Sequence, residues 1–86
     1  MLTVYSKENC AFCDRAKNLL DLKGINYQEV RIDQDDTARQ FLVSEGHRTV
    51  PQIYRNGSLF VQGGYNGLVK LHDKDFQILK EEHNVS

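Results

Sequence analysis

Residues 9–20 read "NCAFCDRAKNLL", two cysteines three positions apart, immediately followed by a run whose apolar residues recur at helical spacing through Ala16, Leu19, Leu20 and Leu22. The pair therefore stands where a helix begins. Upstream, "LTVYS" at 2–6 is β-branched and aromatic and ends in a polar residue, which reads as a strand that stops where the cysteine loop starts. Gly24 follows the last apolar position, where a left-handed helix stop belongs. In this strand, loop and helix unit, Cys10 ends the loop and Cys13 lies in the first turn. The unpaired amides and positive dipole end of the helix then point at the Cys10 sulfur and favour its thiolate. A thiolate at Cys10 is a nucleophile at neutral pH, and Cys13 is placed to attack the mixed disulfide that results. Lys7 adds positive charge in the same loop.

Downstream, "NYQEVRID" at 26–33 sets Tyr27, Glu29 and Arg31 against Gln28, Val30 and Ile32, strand-like in its β-branched and aromatic content. Asp33 or Asp35 then caps a helix carrying Ala38, Phe41 and Leu42 on one face, with Gly46 as its stop. "PQIY" and "SLFVQ" flank "RNG", and Asn-Gly between apolar runs is a strong hairpin signal because both residues tolerate positive φ. "GGYNGLVKLH" at 63–72 opens with a double glycine and continues into a short helix containing Leu68, Val69 and Leu71; residues 74–83 read either as a docked helix or as a frayed end. The order β-α-β-α-β-β-α predicts an α/β fold, a four-stranded mixed sheet with helices on both faces and its first two strands parallel.

Length and composition bound the rest. Eighty-six residues predict one domain, 1–86, with a marginal core, and 40% hydrophobic against 27% charged residues is globular composition. A net charge of −1 without a basic stripe argues against nucleic-acid binding. No run of about 18 apolar residues exists, and the first ten residues lack a basic region followed by an apolar stretch, so the expectation is a soluble, cytoplasmic protein that does not enter a membrane. In a reducing compartment two cysteines are a catalytic or metal-binding pair, or an inert one, rather than a permanent disulfide. A closed zinc site needs about two more ligands, and His47, His72 and His83 have none of the required spacings, so no metal is expected.

"YSKENCAFC" at 5–13, "TVPQIY" at 49–54 and "GGYNGL" at 63–68, taken in order and spacing, resemble the glutaredoxins over about residues 2–72. The resemblance implies a thioredoxin fold and glutathione-dependent thiol–disulfide oxidoreductase activity, with Cys10 attacking and Cys13 resolving. It implies a monomer without a permanently bound cofactor, glutathione as co-substrate and disulfide-containing proteins as partners. By the same resemblance, Pro51 of Thr49-Val50-Pro51 is cis and the Val50 backbone meets the cysteinyl part of glutathione. Gly63 and Gly64 match the family's glycine pair, with Gly64 in the glutathione-binding set, after which Tyr65 and Asn66 receive its γ-glutamyl carboxylate through backbone N–H groups; Lys7 meets the glycine carboxylate, and Phe12 walls the groove. Plainer readings stand beside these: Pro51 beginning a strand, Gly63-Gly64 as an ordinary turn with Tyr65 in the core, and Lys7 as a solvated surface lysine.

Three positions depart from the family pattern. Ala11 and Phe12 replace the usual Pro and Tyr between the cysteines, which removes a rigid turn and restores an N–H near the sulfur. Some glutaredoxins without that Pro hold an iron-sulfur cluster between two subunits with glutathione as ligand, so the resemblance carries cluster binding as an alternative. Asn66 stands where Asp is usual and supplies no charge to the γ-glutamyl ammonium, predicting weaker glutathione binding. Ala38 occupies the second-helix position that often carries Gln, Arg or Lys; Arg39 is adjacent, about 100° around the helix. A redoxin reduced by thioredoxin reductase and serving ribonucleotide reductase would keep the cysteines without needing the glutathione pocket; the TVP and double-glycine signatures favour the glutathione route.

Overall fold

Alternation along the first strand, β1 (Leu2–Ser6), decides which helices lie on which face. The structure, a computed structural model, describes the backbone of residues 1–84 and the side chains of residues 1–81. The last two residues of the expected 1–86 unit and the His83 side chain lie outside the described residues. After β1 come α1 (Ala11–Leu22), β2 (Tyr27–Arg31), α2 (Asp36–Ser44), β3 (Gln52–Arg55), β4 (Ser58–Leu59), α3 (Tyr65–Val69) and α4 (Asp73–Asn84). The sheet order is β2-β1-β3-β4, with β1 and β2 parallel and the other pairings antiparallel. This is the expected four-stranded mixed sheet flanked by helices, the thioredoxin fold.

Leu2 and Val4 point to one face, where they join Ala16 and Leu20 of α1, Ile53, Leu68 of α3, and Phe76 and Leu79 of α4 in a continuous apolar core. Tyr5 points to the other face. There it meets Tyr54 edge-on at 5.5 Å and Phe41 at 5.8 Å, and Phe41 meets Tyr54 at 5.3 Å, so α2 covers this side through an aromatic cluster. At the site end of the sheet, Glu29 on β2 accepts hydrogen bonds from buried Ser6 at 2.6 Å and from Lys17 of α1 at 2.8 Å. The Lys17 hydrogen bond, then that of Ser6, holds the Glu29 carboxyl below its ordinary value.

Three expectations need correction. The strand predicted over 58–62 ends at Leu59; Phe60 N–H donates one further bond to Ile53 O at 2.9 Å, after which the chain leaves the edge to bring Gly64 against Pro51. Helix α3 stops at Val69 and leaves Leu71 outside. The order ends in two helices, β-α-β-α-β-β-α-α, because 73–84 docks through Phe76 and Leu79. Of the two cap candidates, Asp35 takes the role at α2, its Oδ1 accepting from Ala38 N–H at 3.0 Å. The hairpin matches its prediction, with Asn56 and Gly57 at φ 50° and 86°. Among the described residues no helix is long and apolar enough to cross a membrane.

Candidate active site

Cys10 is the N-cap of α1: its backbone is extended, its carbonyl accepts from Asp14 N–H at 3.1 Å, and its Sγ accepts from Cys13 N–H at 3.2 Å. A residue usually chosen for a side-chain oxygen is here replaced by sulfur, which receives the N–H that a Ser or Asp cap would take. Asn9, at φ 57°, makes the preceding turn, a conformation Asn tolerates. Cys10 and Cys13 are joined as a disulfide with their Cα atoms 5.2 Å apart. They are unequal: Cys13 is fully buried, while Cys10 is partly exposed. The loop before them is pinned from below, Glu8 N–H donating to Asp33 at 3.3 Å and Arg31 donating to the same carboxylate at 2.9 and 2.6 Å. The Arg31 guanidinium holds the Asp33 carboxyl down at about 2.

Across from Cys10 lies the Thr49-Val50-Pro51 loop, with Val50-Pro51 cis and Val50 O 3.8 Å from Cys10 Sγ. Gln52, itself buried, donates from Nε2 to Thr49 O at 2.9 Å and holds the loop's shape. Gly64 braces the loop from behind. Its φ is 58°, and a Cβ there would stand 2.5 Å from Pro51 O, so the position excludes a side chain on two grounds. On the near side the half-exposed Phe12 ring lies 6.2 Å from Tyr65, with the Arg15 guanidinium 5.1 Å above Phe12.

Together these walls enclose a groove of about 630 Å³ that gathers Phe12, Thr49, Val50, Pro51, Tyr65 and Asn66. A smaller adjoining depression of about 220 Å³ brings Lys7 and Arg39 to Thr49 and Val50. Two expectations change in detail. The Asn66 backbone N–H is already committed to Gly63 O at 3.1 Å, because it closes the turn into α3. Arg39 reaches the depression, yet its guanidinium donates to Asp36 at 2.9 and 3.2 Å. Sequence reasoning missed Glu45, His47, Arg48, Gln52, Leu59 and Gln62, which complete the walls. Their one signal was adjacency, since the polar run "EGHR" runs straight into TVP.

Two of the missed residues form a tie with β3. Tyr54 donates its hydroxyl proton to Glu45 Oε1 at 3.0 Å and lies 2.9 Å from His47 Nε2. Burial, reinforced by the Glu45 hydrogen bond, pushes Tyr54 up to about 12. Among the described residues no three His, Cys, Asp or Glu side chains are grouped closely enough to hold a metal ion.

The glutaredoxin family model matches residues 2–60. A probable glutaredoxin of Synechocystis is 51% identical over 55 residues, 62% of this chain and 50% of that protein. Glutaredoxin 3 of Escherichia coli is 44% identical over 52 residues, 59% of this chain and 63% of its own length. The chain thus matches between half and just under two thirds of the length of these relatives. The crystal structure of a buckwheat glutaredoxin–glutathione complex superimposes with a TM-score of 0.74 at 31% identity, covering 99% of this chain and 81% of that one. With a dithiol at the head of α1, a cis-proline loop facing it and a family match across most of the sheet, the chain belongs to the glutaredoxin family of thiol–disulfide oxidoreductases.

Proposed function

We propose that this protein is a glutathione-dependent oxidoreductase that reduces glutathione mixed disulfides and protein disulfides. The observation that carries the reading is the placement of a capped, partly exposed Cys10 sulfur 3.8 Å from the Val50 carbonyl, at the edge of a groove wide enough for a tripeptide. The buckwheat relative solved with glutathione supports it.

In the reduced protein the Cys13 N–H directed at Cys10 favours the thiolate. That thiolate attacks the glutathionyl sulfur of a mixed disulfide, and the substrate leaves as its thiolate and takes a proton. A second glutathione thiolate then attacks the same glutathionyl sulfur, giving glutathione disulfide and restoring the Cys10 thiolate. With a protein disulfide, Cys10 bonds one substrate sulfur and releases the other. Cys13 then attacks Cys10, frees the substrate dithiol and forms the Cys10–Cys13 bond, which two glutathione molecules reduce. Burial confines Cys13 to this second role, since no substrate can approach it from solvent. In this reading Thr49, Val50 and Pro51 align the cysteinyl part of the tripeptide. Gly64 keeps that loop in place, Tyr65 through its backbone N–H and Asn66 through its side-chain amide receive the γ-glutamyl end, and Lys7 with Arg39 receives the glycine carboxylate.

The electron source tests the proposal. Turnover of a glutathionylated peptide is expected with glutathione, glutathione reductase and NADPH, and not with thioredoxin reductase and NADPH; the reverse pattern would overturn it.

A further inference from the structure

One half-buried side chain that lines both lobes of the site has no role in the thiol chemistry. His47 lines the main groove and the smaller depression alike, while its ring stands edge-on to Tyr54 at 5.9 Å and 88°. Its protonation pattern follows from the Tyr54 tie. A carboxylate can only accept, so the single Tyr54 hydroxyl proton goes to Glu45, and the Tyr54 oxygen must then accept from His47 Nε2–H. Neutral His47 is thereby fixed as the Nε2–H tautomer, leaving Nδ1 as the only nitrogen that can take a proton. The backbone is fixed too, His47 N–H donating to Leu42 O at 2.9 Å.

We propose that His47 is a specificity-determining residue: held by Tyr54, it adds one positive charge to the wall of the groove, beside the Glu45 carboxylate, when Nδ1 is protonated, and so tightens capture of anionic disulfide substrates as pH falls. The charged groups around it come from every side: Glu45 and Arg48 on its own loop, Lys7 from the β1–α1 loop, and Arg39 from α2. Glu45 is reached from His47 through the Tyr54 hydroxyl. Arg39 is itself paired with Asp36. The inference rests on the glutathione reading of the groove.

Two measurements test it on the intact protein. Two-bond proton–nitrogen NMR on labelled protein should show His47 as Nε2–H at about pH 8 and a loss of that preference in Tyr54→Phe, which keeps the packed ring; an Nδ1–H tautomer in the wild type would overturn the inference and leave the function untouched. The KM for a glutathionylated peptide should be about fivefold lower near pH 6 than near pH 8 in the wild type, the scale of one added charge a few ångströms from an anion in water. In His47→Gln that ratio should fall toward one. Cys10 and the substrate titrate in both proteins, so the difference between the ratios belongs to His47. Equal ratios would overturn the inference alone, whereas no turnover of the peptide at either pH would overturn the proposed function and the inference with it.

Discussion

Sulfur takes the place of oxygen at the head of α1, and in the proposed function that substitution of chemistry at an N-cap supplies the nucleophile. What binds beside it depends on residues with less distinctive signals. Asn66 faces the groove without a charge, and a hydrogen bond to a charged group is worth roughly 1 kcal/mol more than a neutral one. Asn66→Asp should therefore lower the KM for glutathione by about fivefold; steady-state kinetics at fixed pH checks this, and an unchanged or raised KM would contradict it. Both cysteines and the TVP loop were legible in the sequence because their spacing is itself the signal. His47 and Glu45 were not, because their role depends on Tyr54, seven and nine residues away, which a short pattern does not connect to them.

At the scale of elements, the β1–α1 loop is held by a charge that has its own pH signature. Asp33 ties Glu8 N–H to Arg31, and its carboxyl is depressed from 3.8 to about 2. A carboxylate whose folded value is depressed contributes stability that is fully present above its unfolded value and lost as pH falls through the folded one. The Tm difference between wild type and Asp33→Asn should thus be constant at neutral pH and shrink between about pH 4 and pH 2; a constant difference across that window would show that the tie carries no such linkage. Elements with strong local signals, the α1 stripe up to Leu20 and the Asn56-Gly57 turn, were read correctly from sequence, whereas Leu22 at the end of that stripe is exposed. What the sequence misread or left open was decided at a distance: β4 stops at Leu59 as the chain brings Gly64 against Pro51, and of the two cap candidates Asp33 is held by Arg31 while Asp35 caps α2.

Across the whole molecule, one face of the sheet is closed by α1, α3 and α4 around Leu2, Val4 and Ile53, and the other by α2 through aromatic contacts. The last helix was the element whose sequence left docking and fraying equally open, since a polar helix with two apolar anchors satisfies either. The structure places Phe76 and Leu79 in the core. Truncating a buried Phe costs about 3–5 kcal/mol, so Phe76→Ala should lower Tm by more than about 12 °C in a domain of this size. A shift within about 2 °C would show that α4 contributes nothing to the fold. The same architecture sets Cys13 inside the core and Cys10 at the rim of the groove, and the unequal work of the two thiols is the central claim. Its most direct test is glutathione-dependent turnover of a glutathionylated peptide by the two single-cysteine variants. Cys13→Ser should retain that activity while losing reduction of protein disulfides, and Cys10→Ser should lose both; equal loss of peptide turnover in the two variants would contradict the account.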